Sequence, residues 1–324
     1  MKKLYMGVLA LVTMFTMVAC QKEVKPSNVN IVALKGPTAM GMVKFMDDVD
    51  LGNVDSNKYA FEISSNVDEV VTKIAKKEVD IAAVPANLAS VLYNNTDQSV
   101  EVLAINTLGV LYIVETGNTI QSIEDLKGKT IYASGKGATP EYALQYLLKE
   151  SGIQEDVTIE WKSEHSECVT ALAQDENAIA MLPEPFVSVA QTKNANIRVA
   201  LDLTKEWDAI SEESESTLVT GVVIARKEFI KEHPEAVEDF LAHYETSIEY
   251  VNENTDQAAK LIGSYDIIAE PIAKKALPSC NIVYIDEDDM KEKLSGYLQA
   301  LFDQNPKAIG GAMPKDDFYY EADE

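Results

Sequence analysis

The sequence predicts an α/β protein in two halves, each built on its own largely parallel sheet covered by helices. Three observations carry this. From Val29 short strand signals alternate with amphipathic helical stretches, and the same series starts again after Gly109. Two similar apolar segments, 109–114 and 221–225, bracket the second series and mark two crossings between the halves.

Asn30-Ile31-Val32-Ala33-Leu34 reads as a strand, Lys35-Gly36-Pro37 as a turn, and Thr38 opens a helix. Val67, Val70, Val71 and Ile74 share one helical face. Residues 79–84 form a strand that stops at Pro85, and 101–105 form a third. In the second series 129–133 is a strand, 134–139 a glycine-containing turn, and 140–150 a helix with Pro in its first turn. Residues 157–161, 178–182 and 197–203 add strands, 164–174 a helix, and 204–216 a polar stretch. After the second crossing the apolar spacing predicts helices over 234–252 and 289–302, which complete the first half. The domains are therefore 29–109 with 221–324 as lobe 1, and 110–220 as lobe 2.

The 324 residues carry 53 acidic against 28 basic side chains, a formal net charge of −25. No basic run interleaved with aromatics relieves it, which excludes nucleic acid as a partner. Cys168 and Cys280, the cysteines beyond Cys20, fall in different halves and are read as buried free thiols. The chain opens on Lys2 and Lys3, runs through an apolar stretch over 4–18, and reaches Ala19-Cys20. That is the layout of a secretory signal over 1–20, with 21–28 as a tether.

In an open parallel sheet a ligand sits outside the carboxyl ends of the strands, so the loops there are the ones to inspect. Five are small and polar: 35–38, 85–87, 106–107, 134–139 and 183–185. In the loop 134–139, glycines allow close backbone approach and the next helix start offers N–H groups to an oxygen, or the loop merely caps that helix. Thr38 stands equally as cap or as ligand donor. Glu184, between two prolines, reads either as a held carboxylate for a cationic or N–H group or as a solvent-facing turn residue. Tyr112, Tyr142, Trp161 and Phe186 are candidate walls, with core the alternative for each, and His165 lies at a strand end within reach. No His-Glu-x-x-His, Cys-x-x-Cys or Gly-x-Ser-x-Gly occurs, so no catalytic residue, metal site or cofactor is assigned.

Met17-Val18-Ala19-Cys20 resembles a lipobox, which implies a diacylglycerol on Cys20 and a protein tethered to the extracytoplasmic face of the cell membrane. The segments Val29-Asn30-Ile31-Val32-Ala33-Leu34-Lys35-Gly36-Pro37-Thr38, Lys77-Glu78-Val79-Asp80-Ile81-Ala82-Ala83-Val84-Pro85, Ile123-Glu124-Asp125-Leu126-Lys127-Gly128-Lys129-Thr130-Ile131 and Gly221-Val222-Val223-Ile224-Ala225-Arg226-Lys227 resemble the substrate-binding proteins of ABC importers, in the group with nitrate, sulfonate, taurine and thiamine-pyrimidine binders. The resemblance covers residues 29–320. It implies a two-lobed periplasmic-binding-protein fold with two crossover strands and a ligand cleft between the lobes. It also implies ligand contacts at Gly36, Pro37, Thr38, Pro85, Asn87, Ser134, Gly137, Ala138, Thr139 and Glu184, to which the strand-end loop 106–107 adds Asn106 as a candidate. The implied partners are a small-molecule ligand and ABC permease subunits, with the chain itself a monomer that is not an enzyme. Two alternatives remain: an extracytoplasmic enzyme of the pyrimidine-synthase type, whose histidine and cysteine cluster has no counterpart here, and a ligand sensor for a membrane receptor.

Overall fold

A computed structural model describes residues 26–211 and 216–322. The expected signal 1–20, the lipid-bearing Cys20 and the tether up to residue 25 lie outside the described residues. Among the described residues eleven strands form two sheets. The first takes β1 (Asn28–Leu34), β2 (Lys58–Ser64), β3 (Ile81–Pro85) and β4 (Val100–Leu108) from the start of the chain. The second holds β5 (Leu111–Glu115), β6 (Thr130–Ala133), β7 (Thr158–Trp161), β8 (Ile179–Pro183) and β9 (Arg198–Asp202). The chain then returns to the first sheet through β10 (Val219–Arg226) and β11 (Ile282–Ile285).

The two sheets repeat one plan. Strand order is β2-β1-β3-β10-β4-β11 in the first and β7-β6-β8-β5-β9 in the second. Each begins with three parallel strands, followed by one strand that has just crossed from the other lobe and runs antiparallel. The sheets are thus mixed where the sequence predicts largely parallel ones. The segments 109–114 and 221–225 do not pair with each other either. Every residue of β5 is buried, and β10 is buried at all but two positions, so each needs strands on both sides and finds them inside its own sheet.

Register places both crossings at the same end of the lobes. Gly221 lies opposite Pro85, and Leu111 opposite Pro183, so each crossing strand enters beside the proline that closes the third parallel strand. That is the carboxyl-end rim, where the candidate loops are. A Cβ on Gly109 would lie 2.1 Å from Thr204 Oγ1 and 2.6 Å from Leu218 Cδ2, and one on Gly221 would lie 2.4 Å from Thr38 Cγ2 and 2.5 Å from Asn106 Oδ1. Only hydrogen fits at either position. Asn281 Nδ2 donates to the Gly109 carbonyl, which keeps this buried peptide satisfied.

The apolar core does not divide between the halves. Trp207, fully buried, has its ring 4.2 Å from that of Tyr146 in the second lobe and 5.7 Å from that of Tyr297 on the helix Glu287–Gln304. Trp207 belongs to the helix Leu203–Ile210, inside what the sequence reads as the polar stretch 204–216. Leu203 and Trp207, one turn apart, bury that face, while Asp202 accepts from the Thr204 N–H to cap it. β2, β11 and the helices Thr255–Ser264 and Glu270–Ala276 are further elements the sequence reading does not single out. Cys168 and Cys280 are both buried and free. Among the described residues no helix is long and apolar enough to cross a membrane.

Gly109→Val is expected to cost ~1–3 kcal/mol through overpacking at the crossing, read as a lowered thermal midpoint. Gly117→Ala, whose added carbon would sit 3.5 Å or more from its neighbours, is expected to stay within roughly 0.5 kcal/mol of the parent. Equal midpoints for the two variants would show that the crossing is not close-packed.

Candidate functional site

The second lobe presents a recess of about 390 Å³ at the carboxyl ends of β6, β7 and β8, lined by Ser134, Gly135, residues 163–166 and Phe186. Ser134, 2% exposed, holds its hydroxyl against His165 Nδ1. The His165 and Phe186 rings lie 4.9 Å apart and make one wall. Burial holds the imidazole below its ordinary pKa, which favours the neutral ring at physiological pH. Cys168 lies on the same helix, and burial pushes its thiol up to about 11, so it carries no thiolate nucleophile.

Four helices of this lobe begin at the rim: three starts are served by a carboxylate of the chain itself, Asp202 serving Leu203–Ile210, and the fourth, Thr139–Glu150, has a first-turn acid but no side-chain cap. Glu141, on the first turn of Thr139–Glu150, accepts from the Gly137 N–H at 2.6 Å. Glu164 caps His165–Gln174 in a reciprocal pair with Glu167, whose carboxylate accepts from the Ser163 N–H at 2.7 Å. Glu184 accepts from the Ser188 N–H at 3.2 Å and the Ser188 hydroxyl at 3.1 Å at the start of Phe186–Lys193. The helix start at Thr139 carries no side-chain cap, but the Gly137 N–H that precedes it is engaged. A first-turn acid placed four residues on reaches it first.

In the first lobe, Gly36 has φ of 132°, a backbone turn that glycine alone takes without strain, and Pro37 follows half-buried. Thr38 is neither a free donor nor a cap of its own helix: its hydroxyl donates to the Leu34 carbonyl at 2.8 Å. Asn106, 1% exposed, donates to the Thr38 carbonyl at 3.1 Å and accepts from the Thr107 hydroxyl at 3.0 Å. Both side chains lock β1 to β4 around Gly221. Pro85 and Asn87 are half-exposed at the start of Ala86–Asn95, a helix without a side-chain cap or a first-turn acid.

Residues from both lobes meet between these loops. The Thr139 hydroxyl donates to Asn87 Oδ1 at 3.3 Å, and the Tyr297 hydroxyl donates to Thr139 Oγ1 at 3.4 Å. Asn305 Nδ2 donates to the Tyr142 hydroxyl at 3.2 Å, and that hydroxyl donates to the Gly137 carbonyl at 3.3 Å. On the other side the Tyr112 hydroxyl donates to the Ser279 carbonyl at 2.7 Å. Glu184, 5% exposed, faces Lys275 and Cys280 of the first lobe. Of the candidate walls, Phe186 and His165 line the recess, Tyr112 and Tyr142 are buried seam residues, and Trp161 packs half-buried against the core. Gly137 and Ala138 are exposed. Tyr297, Asn305 and Ser279 were not foreseen, because nothing local in the C-terminal segment marks a residue that reaches the opposite lobe.

Residues 54–268, more than half of the chain, match the family described as the phosphonate ABC transporter periplasmic substrate-binding protein. Over 232 residues, 69% of each chain, the sequence is 25% identical to a binding protein of Brucella abortus. Among solved structures, one of an ABC transporter from Parabacteroides distasonis is similar with TM-score 0.75 at 22% identity, covering 91% of this chain and 99% of that one. The periplasmic aliphatic sulphonate binding protein of Escherichia coli is similar with TM-score 0.71 at 13% identity, covering 93% and 94%. Both likenesses bear on the fold alone.

Burial raises the Glu184 carboxyl to about 7, against the opposing pull of Ser188 and Lys275. A raised acid pKa means that the folded chain holds the proton more tightly than the unfolded one. The resulting penalty, on the order of 3 kcal/mol, is absent below pH ~4, builds from ~4.5, and is complete above about 7. Glu184→Gln is therefore expected to melt above the parent at pH 8 and together with it near pH ~4, followed by thermal unfolding across that range. A Gln variant less stable than the parent at pH 8 would refute this assignment.

Proposed function

The chain belongs to the periplasmic substrate-binding family of ABC transporters, and on that premise we propose that its lobes close by hinging at the crossings beside Gly109 and deliver a small organic solute to a membrane permease. The family's role is to bind solute outside the cytoplasm for an importer. The reading is supported above all by the position of the crossings: both enter at the carboxyl-end rim that carries the loops, so the loops of the two lobes face each other across the joint and a rotation there opens or closes the gap between them. The moving units are 29–109 with 221–324, and 110–220.

Closure needs no covalent step. A solute that contacts both rims binds the closed form better than the open one, and that difference shifts the population. Contacts come from the loop after β1 (Gly36, Pro37, Thr38), from Pro85, Asn87 and Asn106, from Ser134, Gly137, Ala138 and Thr139, and from Glu184. Thr38 and Asn106 act there through the backbone they hold. The chain works as a monomer held to the membrane by lipid on Cys20, and it is not an enzyme.

Isothermal titration and small-angle scattering of the mature chain test capture directly: a bound, chemically unchanged solute is expected to shrink the radius of gyration. A solute that binds with no change in dimensions would rule out hinge closure, and turnover would favour the enzymatic alternative. Asn87→Ala removes the contact to Thr139 and is expected to weaken solute affinity roughly 2- to 10-fold while leaving the thermal midpoint of the solute-free chain near the parent's. Cys20→Ala is expected to move the protein from the membrane fraction to the soluble fraction on cell fractionation, and unchanged membrane association would refute the lipid anchor.

A further inference from the structure

Where a helix starts at the end of a strand, its unpaired N–H groups and partial positive charge make a ready site for an oxyanion. The rim of the second lobe has four such starts; three are capped from within, and the fourth, Thr139–Glu150, has the Glu141 carboxylate on its first turn. Glu141 takes the Gly137 N–H, Glu164 and Glu167 take the start of His165–Gln174, and Glu184 takes the Ser188 N–H. The start of Ala86–Asn95 on the first lobe carries no acid, whereas on the second lobe a guest anion would have to displace one of these carboxylates or sit beside Glu141.

No arginine offsets this. The sequence has two, Arg198 and Arg226. Arg198 pairs with Glu115 and donates to the Gly117 and Ile120 carbonyls. Arg226 pairs with Asp80 at 2.7 Å and Glu228 at 3.1 Å and donates to the Val79 carbonyl. Lys35 and Lys136 follow β1 and β6, but both are exposed and neither lines the recess. What does line it is a pair of rings, His165 and Phe186, with hydroxyls and the Glu164 carboxylate around them.

We infer that this cleft selects against oxyanions and takes a flat solute, neutral or cationic, that presents N–H donors. The rings give such a solute a face to lie on, and the acceptor-rich rim meets its N–H groups without an added negative charge. Discrimination then comes from the cost imposed on the wrong class as much as from contacts to the right one. The inference rests on reading the cleft as the solute site, and it narrows what the site admits.

The test is isothermal titration of the mature chain at neutral pH with cytosine and benzamidine as flat N–H probes, and with methylphosphonate and ethanesulfonate as oxyanions. At least one flat probe is expected to bind about 100-fold tighter than either oxyanion. Phe186→Ala is expected to weaken that probe by about tenfold, whereas Lys136→Ala leaves it unchanged. Glu141→Ala frees the Gly137 N–H and is expected to raise oxyanion affinity. Binding of methylphosphonate or ethanesulfonate at least as tight as that of both flat probes overturns the inference, as does failure of both flat probes to bind at millimolar concentration. In the first case, closure seen by scattering with the oxyanion would leave capture standing. Absence of closure with every solute that binds would remove the hinge reading instead.

Discussion

The architecture depends on one narrow passage, where the chain leaves the first lobe at Gly109 and comes back past Leu218. A side-chain carbon on Gly109 would fall within 2.6 Å of the Leu218 side chain and closer still to the Thr204 hydroxyl, so the outgoing backbone packs directly under the side chains of the returning segment and of Thr204. Because each crossing strand sits fourth in its sheet, beside the third parallel strand, this passage also fixes where the lobes join relative to their loops. A connection at the opposite end of the strands would leave the loops of the two lobes far apart. Here they come within hydrogen-bond reach, at Asn87 and Thr139.

Around that passage the polar groups divide into two kinds. Some are fully committed to holding the sheets. Asp80 binds Arg226 and accepts from both nitrogens of Asn30. Burial would push Glu115 up, but the N–H groups of Ile120 and Thr119, the Thr119 hydroxyl and Arg198 reverse this and hold its carboxyl below the usual range. Glu184 is of the other kind. It is as buried as these, yet only Ser188 and a more distant lysine support its charge, and its carboxyl titrates near neutrality. Strong support for a buried carboxylate belongs to the frame, and weak support appears at the seam, where a solute or a neighbouring lobe can still supply a partner.

Much of the fold was legible because it is written in local periodicity. Residues 30–34, 79–84, 129–133 and 178–182 are mainly apolar runs that stop within two residues of a Gly, Pro or Ser, and all fall on strands or within two residues of one. The helix Leu203–Ile210 escaped because a single pair, Leu203 and Trp207, makes its buried face among polar neighbours. That tryptophan is one of the residues through which the two lobes share one core. The site was legible only as a set of loops. The pattern located 134–139 and 183–185, yet spacing alone could not say that Glu141 would turn back on Gly137 or that the Thr38 hydroxyl would donate to the strand before it.

The sequence by itself determined the α/β alternation, its repetition, the two crossings and the membership of the rim loops, because apolar spacing and turn residues act over a few neighbouring positions. Only the tertiary structure decided that each crossing strand runs antiparallel inside its own sheet, that helix Glu287–Gln304 reaches the opposite lobe, and which polar atoms at the rim are already engaged. Those outcomes turn on contacts between residues far apart along the chain, such as Thr139 with Tyr297 and Tyr112 with Ser279, whose partners are chosen by how the lobes pack and leave no mark in the local pattern.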